Sequence, residues 1–378
     1  MGVSRVSKLN ELIHTLCPEG VIYRELREIS EMKRGTSVTK KDITVGDIPV
    51  ISGGKDPAYF CDTFNRSGET ITVAGSGAGA GFIQYWTTPI FVCDAFSVKG
   101  CRNVSTKYLY YCLRNMQERI YSTKKGGGVP HVHISSIETF EIPVPPLVVQ
   151  DEIVRILDIY TELTAELTAE LTAELKARKK QYEYYRDSLY TVENAEITWS
   201  TLDKISVNCD RQRKPITKGN RVAGEYPYYG ASGIVDYVED YIFDGDFLLV
   251  SEDGANLLAR STPIAFSISG KNWVNNHAHV LKFDTYELRR YVEIYLNSID
   301  LSKYISGGAQ PKLNQENLNK IPIPVPSLER VKYVVSILDR FDTLCHDISE
   351  GLPAEIEARQ KQYEYYRDKL LAFGEVTV

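Results

Sequence analysis

The chain carries an incomplete internal duplication, and this feature limits its fold more than any other. Residues 176–189 read KARKKQYEYYRDSL, and residues 357–370, 181 positions later, read EARQKQYEYYRDKL. The same offset relates the IPVP segment at 142–145 to that at 323–326, whereas the stretches between these anchors differ. A repeated frame with two dissimilar inserts predicts one operation performed twice, on two different targets.

The inserts and the segments that follow them predict different structures. Residues 20–146 and 196–327 contain short β-branched and aromatic runs broken by glycine, which is typical of a mixed domain around a twisted sheet. Residues 147–190 contain no glycine or proline and space their apolar residues as a helix does. Residues 328–372 repeat this pattern, with a break expected near 351–353, where glycine and proline occur. The predicted division is an N-terminal helix (1–19), a first domain (20–146), a central helical spacer (147–195), a second domain (196–327) and a C-terminal helical spacer (328–378).

The predicted fold class is α+β. We expect two globular α/β domains separated by two long antiparallel helical arms that form a coiled coil, arranged as a pseudo-twofold circular repeat. The tetrapeptide Thr-Ala-Glu-Leu occurs three times in succession at 164–175, which gives a stripe of leucines every four residues. Each unit would lengthen a helix by ~6 Å, so the arms could act as a ruler between the domains.

Charge is distributed unevenly along the chain. The net charge of −6 argues weakly against a nucleic-acid partner, but residues 102–125 hold six basic side chains and one acid, and residues 208–224 hold five and one. Seven scattered cysteines without a CxxC pair predict reduced thiols and a cytoplasmic location. No run of 18 apolar residues occurs, so a transmembrane helix is not expected.

The motifs for chemistry are weak. Glycines alternate with small residues from Gly75 to Gly81, which suggests a nucleotide-binding loop, but a strand-like run follows where a helix should begin. The sequence contains neither a GxxxxGK[ST] motif nor an Asn/Asp-Pro-Pro-aromatic motif. His131 and His133 lack the other ligands of a metal site. We therefore predict no catalytic, cofactor or metal site. Glycine-rich turns at 126–130 and 307–311, each near lysine, could approach a phosphate or simply form structural turns.

Across almost its whole length the chain resembles the DNA-specificity subunit of type I restriction-modification enzymes. The resemblance is carried by the IPVP segments, the ILD and QYEYYRD motifs in the helical segments, and the Thr-Ala-Glu-Leu tract. It implies two target-recognition domains that read the halves of a bipartite, asymmetric site in double-stranded DNA. It also implies a non-catalytic subunit that docks two modification subunits, which hold S-adenosylmethionine, and two restriction subunits, which use ATP with Mg.

The duplication indicates which residues meet which partner. Segments that are alike in both halves should bind a partner present twice. Tyr and Arg are favoured interface anchors, although these repeated side chains could instead pack the helical arms together. The predicted partner-binding residues are Tyr182, Tyr184, Tyr185, Arg186, Tyr363, Tyr365, Tyr366 and Arg367. Parts that differ should meet DNA, or else carry ordinary surface charge. The predicted DNA-binding residues are Lys33, Arg34, Lys40, Lys41, Gly77, Gly79, Lys124 and Lys125 in the first half, and Arg211, Arg213, Lys214, Arg260 and Lys271 in the second.

Two other functions remain possible from the sequence. One is an S-adenosylmethionine-dependent DNA methyltransferase with its own cofactor loop between Gly75 and Gly81. The other is a coiled-coil assembly protein without a nucleic-acid role, which the two basic clusters disfavour.

Overall fold

A computed structural model divides the chain into two compact units. The first comprises residues 1–171 and 356–378, and the second comprises residues 172–355. The described residues are 2–39, 41, 43–101, 103–190, 197–308, 310–347 and 350–376, with side chains described from residue 8 onwards.

The first unit is built around a four-stranded antiparallel sheet of order β2-β8-β5-β6, a three-stranded sheet of order β4-β3-β7, and the pair β1-β9. Its elements are α1 (Gly2–Leu16), β1 (Ile22–Glu25), α2 (Leu26–Ile29), β2 (Ser30–Arg34), β3 (Ile48–Ile51), β4 (Tyr59–Cys61), β5 (Thr70–Ala74), β6 (Ile83–Trp86), β7 (Phe91–Val92), β8 (Ala95–Gly100), α3 (Thr106–Asn115), α4 (Gln117–Tyr121), α5 (Ile134–Ile137), β9 (Glu141–Val144) and the beginning of α6 (Leu147–Tyr190).

Strand β5 lies at the centre of this unit. All five of its residues, TITVA, are buried, because β6 and β8 flank it and α3 packs nearby. Its β-branched residues suit a strand that is covered on both faces. Helix α3 begins where the Ser105 hydroxyl accepts a hydrogen bond from the Tyr108 backbone nitrogen, and it buries Tyr108 and Leu109 in the core.

The second unit repeats this plan. It has sheets of order β11-β18-β15-β16 and β13-β12-β17-β14 and the pair β10-β19. Its elements, after the end of α6, are β10 (Thr198–Thr201), α7 (Leu202–Ile205), β11 (Val207–Asn208), β12 (Ala223–Gly230), β13 (Gly233–Val238), β14 (Phe243–Asp244), β15 (Phe247–Ser251), α8 (Asn256–Ala259), β16 (Ala265–Ile268), β17 (Lys271–Val274), β18 (Ala278–Lys282), α9 (Tyr286–Ser298), α10 (Gln315–Asn319), β19 (Pro322–Val325) and α11 (Leu328–His346), and the chain continues into α12 (Leu352–Leu371).

Strand β15 takes the place that β5 has in the first unit. It is also fully buried, between β16 and β18. Helix α9 begins with Thr285, whose hydroxyl accepts from the Leu288 nitrogen at 3.2 Å, and packs against α11. The β1-β9 and β10-β19 pairs each contain the Ile-Pro-Val of an IPVP segment, so the repeated sequence forms the same strand twice.

The helical segments agree with the sequence except at one boundary. Helix α6 runs unbroken for 44 residues and includes the whole tract at 164–175. Leu163, just before that tract, is 57% exposed, and the tract's own leucines are half-buried, so the leucine stripe is only partly covered. The break expected near 351–353 instead falls between His346 and Leu352. The break ends at Gly351, where a side chain does not fit, because a Cβ would press against the carbonyl oxygens of 343 and 347. The proline that follows is tolerated because it lies in the first turn of the next helix.

Within each unit, α6 packs antiparallel to a later helix. In the first unit Thr161 bonds Tyr363 at 3.0 Å while Tyr160 contacts Tyr366. In the second unit Tyr182 contacts His346 while Tyr185 contacts Phe341. The predicted class of two similar α/β halves with long helical segments is confirmed, and the pseudo-twofold arrangement stays a prediction.

The two ends of the chain meet in the first unit. The Val21 nitrogen donates to the Gly374 oxygen at 2.8 Å, and the Val376 nitrogen donates to the Val21 oxygen at 3.1 Å. A Cβ on Gly20 would overlap the Gly374 oxygen. Among the described residues, no helix has both the length and the apolar character needed to cross a bilayer.

Candidate functional site

The glycine-rich loop at 75–81 connects two antiparallel neighbours, β5 and β6. Gly77 adopts a left-handed φ of +79°, and its nitrogen donates to the Pro130 oxygen at 3.0 Å. Gly79 lies so close to Gly53 that a Cβ would overlap the Gly53 oxygen. The loop is therefore a hairpin packed on neighbouring backbone. It does not open a helix, as the phosphate loop of a dinucleotide-binding domain does, so this stretch lacks the structure that the methyltransferase alternative requires.

The two glycine turns have the same construction. In the first unit Lys125 and His131 exchange backbone hydrogen bonds of 3.0 and 2.8 Å. In the second unit Ser306 and Lys312 exchange bonds of 2.8 and 2.7 Å. The glycines at 127, 128 and 308 have no neighbouring atom within 4 Å of where a Cβ would stand. Each turn thus presents backbone to open space, which fits both the phosphate and the structural interpretation.

The loop after the central strand makes the same three backbone bonds in each unit: one to the residue before β8 or β18, one to the glycine turn, and one to a residue just beyond that turn. In the first unit Gly75 donates to Asp94 at 3.0 Å, Gly77 donates to Pro130, and the Gly75 oxygen accepts from Val132 at 3.0 Å. In the second unit the corresponding bonds are Glu252 to His277 (2.9 Å), Gly254 to Pro311 (3.1 Å) and Leu313 to Glu252 (2.7 Å). We call these places the first junction (Gly75, Ser76, Asp94, His131) and the second junction (Glu252, Asp253, His277, Lys312).

The side chains at the two junctions differ although the backbone is the same. In the first junction the Ser76 hydroxyl bonds the Asp94 carboxylate. In the second, Nδ1 of His277 lies 2.9 Å from both carboxylate oxygens of Asp253. These four residues are not among the predicted site residues, because nothing in the sequence brings them together.

A buried charge network supports the second junction. Arg213 pairs with Glu252 at 2.7 Å and with Asp210 at 3.4 Å, while Lys312 pairs with Glu252 at 3.2 Å. Burial raises the pKa of both carboxyl groups, but the surrounding hydrogen bonds and positive charges outweigh it and leave both pKa values lowered. His279 lies between the Asp210 carboxylate (2.6 Å) and the Leu313 oxygen (2.8 Å), so each of its ring nitrogens faces an oxygen.

Asp210, Glu252 and His279 are ligand types found at metal sites, and their ligand atoms lie within 4.8 Å of one another. Arg213 and Lys312 already neutralise the two carboxylates. The cluster is therefore complete as an ion-pair network, and a cation would have to displace basic side chains to bind there.

Most of the predicted DNA-binding cations are accessible. Lys124 is half-buried, with its ammonium 4.1 Å from the centre of the Tyr121 ring. Lys271 lies over two rings, Tyr226 at 5.9 Å and Tyr241 at 4.6 Å. The exposed predicted cations are Lys33, Arg34, Lys41, Lys125, Arg211, Lys214 and Lys271.

Two of the predicted cations have internal roles instead. Arg213 is 13% exposed and belongs to the charge network described above. Arg260 has a left-handed φ of +51° and donates to the carbonyl oxygens of Leu296 and Ile299, at the end of α9. Both guanidinium groups are committed to the fold, so their assignment as phosphate ligands does not fit this geometry. Lys40 lies outside the described residues.

Arg66 is not among the predicted DNA-binding residues, but it lies beside one of them, Lys33. Its guanidinium donates to the Ser97 hydroxyl at 2.7 Å and to the Arg34 oxygen at 2.8 Å. It lines a polar cavity of about 200 Å³ together with Lys33 and Lys99. Arg66 stands alone in the sequence, outside any basic cluster, which explains why charge patterning did not reveal it.

The repeated tyrosines and arginines form two nearly identical groups. Tyr184 and Tyr185 form an edge-on pair with ring centres 5.6 Å apart and planes at 70°, and their counterparts Tyr365 and Tyr366 have 5.4 Å and 71°. In each pair one ring packs on a neighbouring helix, Tyr185 on Phe341 and Tyr366 on Tyr160. The other ring is mostly exposed, 69% for Tyr184 and 54% for Tyr365.

The arginines repeat their contacts as well. Arg186 lies 6.0 Å from the Tyr182 ring centre, and Arg367 lies 5.9 Å from that of Tyr363. Burial raises the pKa of Tyr182 to about 12. Tyr182 and Tyr363 are therefore half-buried against neighbouring helices, whereas Tyr184 and Tyr365 are the most exposed rings of the two groups.

Comparison with known proteins gives one consistent family. The sequence profile of the type I restriction modification DNA specificity domain matches residues 18–177 and again residues 196–358. A Haemophilus influenzae protein described as a candidate type I restriction enzyme specificity subunit is 36% identical over 189 residues, about half (49%) of each chain. The EcoR124I/EcoR124II specificity subunit of Escherichia coli is 31% identical over 355 residues, with 81% of this chain and 86% of that protein covered.

A solved structure from a study of the assembly and conformational transition of the type I restriction-modification system has the same fold, with a TM-score of 0.64 at 15% identity over 95% of this chain and 99% of the other. The profile matches both halves separately, in agreement with the duplicated architecture. The chain therefore belongs to the family of type I restriction-modification DNA specificity subunits.

Proposed function

We propose that this chain is a non-catalytic subunit that reads a bipartite, asymmetric site in double-stranded DNA and docks two modification subunits. One observation carries the proposal: the same backbone is built twice, with the same helical tyrosine groups but different side chains at the two junctions. Identical surfaces suit a partner present twice, and different surfaces suit two unlike half-sites.

The DNA-facing parts of the proposal are the domains at 20–146 and 196–327. The exposed cations of each domain would contact phosphates, which sets the position on the duplex without selecting a sequence. Lys125 and Lys312 stand at the ends of the two glycine turns, whose open backbone allows close approach to a phosphate. Base-edge contacts would supply the selectivity.

The helical parts of the proposal are 1–19, 147–195 and 328–378. The exposed rings of Tyr184 and Tyr365 would each bind one modification subunit, since tyrosine is a common interface anchor. The modification subunits would bring S-adenosylmethionine and take the target adenine out of the stack. Two restriction subunits would add ATP and Mg to the complex, which would work in the cytoplasm.

Mapping methylated adenines in DNA modified by the chain together with its modification subunits tests this function. A split motif with a fixed gap is expected, and it should disappear when the chain is omitted. Binding to DNA should weaken steeply as salt rises, because phosphate contacts release counterions. Methylation by the purified chain alone with S-adenosylmethionine would contradict the proposal and favour an independent methyltransferase.

A further inference from the structure

We propose that the two junctions are the base-reading groups of this chain, with Asp94 reading one half-site and Asp253 the other. The inference rests on the proposed function and deepens it, because it names the side chains that select the DNA sequence. The ligand is the exocyclic amino group of a cytosine or adenine on one strand of the major groove, at a position where guanine or thymine would present a carbonyl oxygen instead.

The first step is that both junctions are shaped by the same backbone hydrogen bonds, whatever side chains surround them. Three main-chain hydrogen bonds of 2.7–3.1 Å join the loop after the central strand to the glycine turn, to a residue just beyond it and to the residue before β8 or β18. Bonds of this kind need no particular side chain. The side chains at 76, 94, 253 and 277 are therefore not required to shape the loops.

The second step is that these positions nevertheless carry polar, hydrogen-bonded pairs. Ser76 bonds Asp94 in the first unit, and His277 bonds Asp253 in the second. Asp94 is exposed, the Asp253 side chain is 33% exposed and His277 is 50% exposed. A buried structural pair would be closed to solvent, whereas these groups can reach a ligand.

The third step is the chemistry of a paired carboxylate. Each carboxylate has about four acceptor positions, and one hydrogen-bonded partner leaves others available. A serine or histidine partner fixes the orientation of the carboxylate and leaves some of its acceptor positions free. Such an acceptor suits the amino group of cytosine or adenine and repels the carbonyl oxygens of guanine and thymine.

The fourth step is the setting, which favours DNA as the occupant. Each junction adjoins a glycine turn with open space beside some of its glycines. Lys125 comes directly before the turn in the first unit, and Lys312 comes directly after the turn in the second. An isolated carboxylate would repel a polyanion. A carboxylate beside a lysine and a phosphate-accessible turn can approach a base edge while the backbone phosphates are neutralised.

The test uses the chain with its modification subunits and maps methylated adenines for Asp94→Asn and Asp253→Asn. Asparagine keeps the shape and adds a donor, so each variant should change base preference by about 10-fold or more at one position. Asp94→Asn should alter only one half-site and Asp253→Asn only the other. Glu316→Gln is the matched control, an exposed carboxylate (78%) of the second unit that pairs with Lys320 and should leave the motif unchanged.

The outcomes separate this inference from the proposed function. If the wild-type complex writes a split motif but both variants write the same motif, the base-reading inference is wrong and the function stands. Equal changes in both half-sites by either variant would also overturn it. A wild-type complex without a split motif would refute the function itself. Ser76→Ala and His277→Gln, which leave both carboxylates in place, are second variants for each junction and should alter the same half-sites.

Discussion

Removing the exposed ring of Tyr184 or Tyr365 tests whether the repeated helical segments bind two copies of one partner. A tyrosine offers ~200 Å², so exposed fractions of 69% and 54% leave about 140 and about 110 Å² for a partner to cover. At ~25 cal/mol per Å² this burial is worth about 3.5 and about 2.7 kcal/mol. Truncation to alanine should then weaken the affected contact by about 100- to 300-fold.

The assay is the stoichiometry and affinity of modification subunits bound to the chain, measured by titration calorimetry. Tyr184→Ala and Tyr365→Ala should each weaken one of two binding events and leave the other intact, and the double variant should weaken both. Tyr333→Ala is the matched control, because its ring is 53% exposed but the equivalent position in the other half is Glu152. Full binding by the double variant, or loss of both partners in a single variant, would refute the assignment.

The remaining predictions concern stability and spacing. Hydrogen bonds from Arg155 and then Lys8 outweigh burial and lower the pKa of Glu152 from 4.5 to about 2. The stabilisation by the Glu152 carboxylate is therefore complete above pH 4.5 and is lost as the pH falls towards 2. Glu152→Gln should lower the free energy of unfolding, measured in urea, by about 1–2 kcal/mol at pH 7 and by much less near pH 2. Gly79→Ala should destabilise by about 1–3 kcal/mol through its clash with backbone, whereas Gly127→Ala, in open space, should change the melting temperature little. Deleting residues 164–167 shortens α6 by about 6 Å and should move the preferred gap between half-sites by about one or two base pairs in methylation mapping, and an unchanged gap would contradict the ruler.

The helices and strands could be predicted because local sequence determines them. The stretch at 147–190 has helical spacing and no glycine or proline, and it forms one helix with those bounds. The fully buried strands at 70–74 and 247–251 lie in the two stretches whose short β-branched and aromatic runs predict a mixed domain around a sheet. The predicted position of the break before α12 was wrong by a few residues. Gly351 stands at the end of the break, next to the first residue of α12, and not at its beginning.

The roles of single cations could not be predicted, because they depend on partners far away in the sequence. Arg213 pairs with a carboxylate 39 residues later, and Arg260 caps a helix that ends 38 residues later. Arg213 appears in the sequence as surface charge beside Arg211 and Lys214, and Arg260 appears as an isolated cation. Arg66 is the reverse case, a residue that was not predicted but lies at a basic surface. Its contacts with β2 and β8 form only when the sheet brings these strands together.

The equivalence of the two junctions was hidden for a further reason. Glu252 lies 177 residues after Gly75, Lys312 lies 181 after His131, and His277 lies 183 after Asp94, so no single offset aligns them. Loops of different length separate the equivalent positions, and only the backbone hydrogen bonds restore the correspondence. Selection for a fold acts on those bonds, whereas selection for two unlike half-sites acts on the side chains that the bonds leave free. The positions that determine specificity should therefore be sought where the two halves agree in backbone bonding and disagree in exposed polar chemistry.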